Sequence, residues 1–178
     1  MTRIYLIGYM GTGKTTPGKR LAHIMELGFV DIDKHIESKF MQTIPEIFEE
    51  YGEEGFRKIE QNALKEVSQI ENIVISTGGG APCFFDNMSL MNNTGLTVYI
   101  KATPEELASR LRASKTVRPI VAQKKEDELV PFITEHLSQR EKFYNKANII
   151  FNTEHLISKE DIYLTVDRMF DEIKNKKL

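Results

Sequence analysis

Near the start of the chain, Gly8-Tyr9-Met10-Gly11-Thr12-Gly13-Lys14-Thr15 has the spacing G-x-x-x-x-G-K-[ST]. The apolar run Ile4-Tyr5-Leu6-Ile7 precedes it and a helical pattern carrying Leu21, Ala22, Ile24 and Met25 follows, which is the strand-to-helix setting the motif requires. Glycines let backbone N–H groups turn inward around a phosphate, and the helix adds its positive N-terminus. The expected chemistry is therefore phosphate binding. Gly11, Thr12 and Gly13 line the cradle, Lys14 reaches the terminal phosphates as a point charge, and the Thr15 hydroxyl ligates Mg²⁺ with Thr16 beside it. Pro17 has no N–H, but it lies so near the helix start that the missing donor is one of the first-turn groups that has no intrahelical partner anyway.

Further residue types gather at other expected strand ends. Asp31 and Asp33 close the apolar stretch from Leu27 to Ile32. In a parallel α/β fold, ligands sit at the carboxyl ends of strands, so one carboxylate can face a metal and the other a substrate. The competing reading is that Asp33 only caps the next helix. The β-branched run Ile73-Val74-Ile75-Ser76 stops at Thr77-Gly78-Gly79-Gly80, where missing side chains let backbone amides approach a ligand closely, unless this is a plain loop. Arg57 and Glu60 are three apart and can pair on one helix surface. Phe56 and Ile59 flank Arg57, so a solvated ion pair and a partly buried one both stay open. Residues 113–125 have no periodicity and hold Arg118-Pro119 at their centre. With Arg110, Arg112 and Lys115 they read as a basic lid that closes over phosphates, against a merely mobile surface loop.

The elements that must position these groups follow from the pattern. Strands are expected over 4–7, 27–32, 73–76, 96–100 and 148–151. Helices are expected after the phosphate loop, over 34–40, from Thr43-Ile44-Pro45-Glu46 with its cap and first-turn proline, from Tyr51 to about Ile70, and weakly from Phe84 to Met91. Three more run from Pro104 to Arg112, from Glu126 to Ala147 and from Ser158 to Lys174. Alternating strands and helices imply a three-layer α/β fold, a five-stranded parallel sheet with helices on both faces and right-handed crossovers. The phosphate loop, Asp33 and Gly78 to Gly80 then share one edge of the sheet.

A chain of 178 residues with 40% hydrophobic and 28% charged residues is expected to be one soluble domain with a sizeable core. Its formal net charge of −2 argues against nucleic acid as a partner. No apolar stretch reaches the roughly 18 residues of a membrane span, and Met1-Thr2-Arg3 leads straight into a strand, so no membrane partner and a cytoplasmic location are expected. The single cysteine, Cys83, cannot form an internal disulfide, which fits a reducing compartment, and phosphoryl transfer needs no thiol.

Taken together, Gly8 to Thr15, Phe29-Val30-Asp31-Ile32-Asp33 with Ile36-Glu37, Phe56-Arg57 with Glu60, Thr77 to Gly80, Arg118-Pro119, and Arg140 with Tyr144 and Ala147 resemble the shikimate kinase family over nearly the whole chain. The resemblance implies a phosphate-loop kinase of the nucleoside-monophosphate-kinase-like branch, a single domain over 1–178 with a substrate-binding region at 34–61 and a mobile lid at 113–125 as insertions. It implies transfer of the γ-phosphoryl of ATP to the 3-hydroxyl of shikimate, with Mg²⁺ as cofactor and ATP and shikimate as small-molecule partners of a monomer. By matching position, Lys14 and Arg118 contact ATP phosphates, and Thr15 holds Mg²⁺ with Asp31 supporting it through water. Asp33 holds and orients the attacking hydroxyl, Arg57 and Arg140 bind the substrate carboxylate, and the Gly78, Gly79 and Gly80 backbone lines the ring. Arg110 and Arg112 compete for the place that packs on adenine, and the loop at 152–155 matches little. Pro17 and Ile120-Val121 depart from the family pattern. Gluconate kinase, or a nucleotide-binding regulatory module without turnover, are the alternatives; neither calls for Asp33, Arg57 and Arg140 together.

Overall fold

The computed structural model describes residues 2–113, 126–153 and 159–176. Its strands are β1 (Arg3–Ile7), β2 (Gly28–Asp31), β3 (Ile73–Ser76), β4 (Leu96–Lys101) and β5 (Ile149–Asn152). They pair in parallel in the order β2-β3-β1-β4-β5, with Ile4 opposite Val74 on one side and Leu96 on the other. The chain fills one side of β1 before crossing to the other, so the crevice where a ligand is expected opens beside β1 at the carboxyl ends of the strands.

Period-two alternation in β1 divides the interior. Tyr5 and Ile7 face one core with Ile75 and Tyr99, and Ile4 and Leu6 face the other with Val74, Val98 and Ile100. The second core is closed by α1 (Thr15–Ile24) and by α7 (Lys159–Asn175), whose Val166, Met169 and Ile173 are buried. On the first face lie α2 (Ile32–Phe40), α3 (Ile44–Val67), α4 (Asn87–Thr94), α5 (Pro104–Ala113) and α6 (Glu126–Tyr144), with a short 3-10 turn at Ala81–Cys83. The three-layer arrangement expected from the sequence is present.

Element boundaries move by a few residues, and two differences matter. The expected helices at Thr43 and Tyr51 form one element, α3, interrupted at Gly52, whose φ of 66° and ψ of −179° break the helical hydrogen bonding. The Thr43 start is as read: its side chain accepts from Glu46 N, and the Glu46 carboxylate accepts from Thr43 N at 2.7 Å. The second difference is the start of α2. It begins at Ile32, two residues earlier than expected, because Asp31 is its cap and accepts from Lys34 N at 3.3 Å. Asp33 therefore stands in the first helical turn, and the capping role considered for it belongs to Asp31. Pro17 is buried inside the first turn of α1, where the sequence reading left room for it.

Candidate active site

The phosphate loop leaves β1 through glycines that only glycine serves well. Gly8, Gly11 and Gly13 have φ of 148°, 84° and 78°, and a Cβ on Gly8 would stand 2.6 Å from the Ile100 carbonyl oxygen. Lys14 is 8% exposed, and its ammonium donates to Gly8 O at 2.8 Å, Tyr9 O at 2.9 Å and Thr12 Oγ1 at 3.3 Å. The charge is thus held over the inside of the loop. Thr12 and Thr15 differ in environment. Thr12 is buried and its hydroxyl donates to Tyr9 O, whereas Thr15 Oγ1 donates to Asp31 Oδ2 at 2.7 Å. A hydroxyl and a carboxylate oxygen in contact at the mouth of a phosphate loop form the hard, all-oxygen donor set that suits Mg²⁺ completed by phosphate and water. Asp31 thus serves both the cap of α2 and the Thr15 hydroxyl.

The second half of the site surrounds the glycine run after β3. A Cβ on Gly80 would lie 2.5 Å from Arg57 Nη1 and 2.7 Å from Nη2, so the guanidinium rests against the bare backbone. A Cβ on Gly78 would lie 3.0 Å from Asp33 Oδ1 and would collide with Glu60 Oε1. A Cβ on Gly79 would meet Met10 N at 3.0 Å, so this residue packs against the phosphate loop itself. One cation and two carboxylates from α2 and α3 therefore meet at Gly78 and Gly80, with the phosphate loop against Gly79 between them.

Arg57 is buried, the partly buried alternative of the two that the sequence left open. Its Nη1 donates to Glu60 Oε2 at 2.9 Å, its Nη2 reaches Glu53 Oε1 at 3.4 Å, and its Cζ stands 4.2 Å from the Phe84 ring centroid. Its buried Nε has no hydrogen-bond partner among the described residues. Glu60, 1% exposed, has its carboxyl pushed up to about 7 by burial, against the pull of Arg57 and Arg140 and with Asp33 adding to the rise. Arg140 comes from α6, 83 residues after Arg57 in the chain, and is also buried at 9% exposure. Its Cζ is 5.7 Å from the Tyr9 ring centroid. Tyr144, one turn later, donates its hydroxyl to Gly79 O at 2.6 Å, and burial pushes that hydroxyl's titration well above the usual tyrosine range.

Every candidate residue among the described ones thus converges on the same sheet edge: Gly11, Thr12, Gly13, Lys14, Thr15 and Thr16 on the phosphate loop and the start of α1, Asp31 at the end of β2 and Asp33 just after it, Gly78 to Gly80 after β3, and Arg57 and Arg140 on the helices above. Arg118 and residues 114–125 of the expected lid lie outside the described residues, as do residues 154 and 155 of the loop at 152–155. Of the two arginines considered for adenine, Arg110 reaches Thr12 O on the phosphate loop at 3.4 Å, while Arg112 is exposed. Glu60 and Tyr144 belong to the sequence pattern without a site role, and the structure puts both at the border of the site. Their signal was weak, a three-residue offset for one and a contact with a residue 65 positions away for the other. Cys83 is half-buried and its thiol is pushed up by burial, which leaves little thiolate near neutrality. No helix among the described residues is long and apolar enough to cross a membrane.

Comparison with known proteins agrees with this geometry. The sequence model of the family described as shikimate kinase matches residues 10–171. A curated shikimate kinase of Parabacteroides distasonis is 50% identical over 163 residues, covering 92% of this chain and 94% of its own. The solved structure of shikimate kinase from Bacteroides thetaiotaomicron superposes with a TM-score of 0.93 at 48% identity, covering 97% of this chain and 98% of that one. That of the Acinetobacter baumannii enzyme in complex with shikimate gives a TM-score of 0.85 at 31% identity, over 100% of this chain and 96% of that one. With a buried arginine pair, two carboxylates and a phosphate loop along one sheet edge, and with relatives of this similarity over nearly its full length, the chain belongs to the shikimate kinase family.

Proposed function

We propose that this chain transfers the γ-phosphoryl group of ATP to the 3-hydroxyl of shikimate, giving shikimate 3-phosphate and ADP on the way to aromatic amino acids, with Asp33, Arg57 and Arg140 reading the acceptor. The observation that carries the assignment is the meeting of Arg57, Glu60 and Asp33 along Gly78 to Gly80. A hydroxylated ring acid needs cations for its carboxylate and a carboxylate for its hydroxyls, and this strip offers both. Arg57 and Arg140 bind the acceptor carboxylate, for which a planar guanidinium is suited because it can donate two parallel bonds. The buried Nε of Arg57 adds a donor available to an anion.

In this reading the Asp33 carboxylate accepts a hydrogen bond from the attacking hydroxyl and fixes its direction. As the oxygen bonds to the γ-phosphorus and the bond to the ADP oxygen breaks, the hydroxyl proton passes to Asp33. Lys14 leaves its contacts with Gly8 O and Tyr9 O to follow the negative charge that builds on the phosphates, aided by the backbone N–H groups of Gly11 to Thr16. Arg118 is proposed as a second cation on the phosphates, from the sequence pattern alone. Thr15 and Asp31 would hold the metal, and Mg²⁺ bound there would supply charge neutralisation to the phosphate oxygens. Arg110 is proposed as the arginine nearer the nucleotide. All these residues come from one chain, so a monomer suffices, and a reducing cytoplasm that supplies ATP fits the lone Cys83.

The test is acceptor-dependent ADP release, measured with shikimate, with gluconate and with no acceptor. Saturable release with shikimate alone is expected. Faster release with gluconate, or release that ignores the acceptor, would overturn the assignment.

A further inference from the structure

Arg140 sits on α6 midway between two groups that tie the helix to loops at strand ends. Residues 136, 140 and 144 are four apart, and four-residue steps drift by only about 40° around a helix, so the three share one face. Tyr144 donates to Gly79 O at 2.6 Å, which fastens the turn after Arg140 to the glycine run. His136 fastens the turn before it: its Nδ1 is 2.8 Å from the Tyr9 hydroxyl, and the two rings pack edge to face at 5.5 Å and 86°. Tyr9 belongs to the phosphate loop, is fully buried, and uses its carbonyl to hold the Lys14 ammonium. Its ring also lies beside the Arg140 guanidinium.

We propose that His136, through its hydrogen bond to the Tyr9 hydroxyl, is a positioning residue that sets where α6 presents Arg140 to the acceptor carboxylate. The inference rests on Arg140 being a carboxylate-binding group. The two tyrosine contacts act as pins on either side of it, and rotation or slippage of α6 by a fraction of a turn would move the guanidinium by more than a hydrogen bond tolerates.

The chemistry of the pair suits the task. Burial pushes the Tyr9 hydroxyl up to about 12, so it stays protonated. Burial also lowers the titration of His136, with Arg140 on the same helix and Arg57 on α3 lowering it further and Glu53 on α3 opposing them. A phenol and a neutral imidazole can pin the helix without a charge that would compete with the acceptor for Arg140. A carboxylate at 136 could not.

The test is the steady-state kinetics of Tyr9→Phe, His136→Ala, the double variant, His136→Asn and Arg140→Ala. His136→Ala should raise KM for shikimate about 5-fold, the scale of one neutral hydrogen bond, with kcat and KM for ATP changing less than about 2-fold, and Tyr9→Phe should raise the same KM by a similar factor. The double variant should be no worse than either single one, since both remove the same bond. His136→Asn, which puts a polar atom where Nδ1 stands, should recover most of the loss. Should His136→Ala fold poorly, Tyr9→Phe deletes a single oxygen and carries the test. An unchanged KM for shikimate in both single variants, or effects that multiply in the double, would overturn the positioning role while Arg140→Ala still raised that KM. An unchanged KM in Arg140→Ala would instead overturn the reading of Arg140 on which the inference rests.

Discussion

Arg57 Nη1 donates to Glu60 Oε2 at 2.9 Å, and neither side chain is more than 8% exposed. A pair buried this deeply is costly to desolvate and is weak grounds for stability by itself. Its value is geometric, since Glu60 fixes the guanidinium against Gly80.

Burial makes that pair sensitive to pH. The Glu60 carboxyl titrates near 7 in the folded protein against an ordinary value of 4.5, so between those values the folded state binds the extra proton. Its contribution to stability is therefore fully present below about 4.5 and is lost as pH rises through about 7. Glu60→Gln removes this dependence. Melting temperatures taken from pH 5 to pH 8 should fall more steeply for the wild type than for Glu60→Gln, and parallel curves would show that Glu60 is ionised throughout.

Gly80→Ala isolates the acceptor half of the site. Gly80 has φ −84°, so alanine strains no backbone there, but its Cβ would stand 2.5 Å from Arg57 Nη1. The guanidinium has Phe84 and Glu60 around it and must shift. Shikimate KM should rise by about 10-fold, on the order of a displaced charged hydrogen bond, with KM for ATP unchanged. Equal losses for both substrates would point to general damage instead.

Lys14→Ala isolates the phosphate half. The ammonium is held on loop carbonyls, and in the proposed reaction its larger service comes as charge moves onto the leaving ADP. Turnover should drop by roughly 100-fold or more, with folding retained as judged by circular dichroism. Near-normal turnover at saturating Mg²⁺ and ATP would remove Lys14 from catalysis.

Much of this was legible in the sequence, for reasons visible in particular residues. Gly8 to Thr15 could be read because its function depends on local spacing, and Ile73 to Ser76 because a strand buried on both faces is apolar throughout. The cap at Thr43 was equally local. What could not be read depends on which distant residues meet. Asp31, the last residue of β2, takes the capping role weighed for Asp33 because α2 starts two residues early, a shift within the reach of any boundary reading. The burial of Arg57 depends on Phe84 and the glycine run, and the contact of Tyr9 with His136 spans 127 positions. Arg110 could be told from Arg112 only once α5 had been laid beside Thr12.

Whether Asp33, Arg57 and Arg140 read one acceptor in different ways is decided by shikimate affinity from calorimetry, measured alongside kcat in Arg57→Ala, Arg140→Ala and Asp33→Asn. Each arginine variant should lose about 2 to 4 kcal/mol of shikimate binding, the scale of losing one partner of a desolvated charge pair, with ATP affinity intact. Arg140→Lys should recover little, since an ammonium cannot reproduce the fork. Asp33→Asn should keep most of its affinity and lose turnover, because its carboxylate acts on the way to the transition state. Normal shikimate binding in both arginine variants, or an Asp33→Asn enzyme that turns over normally, would contradict the account.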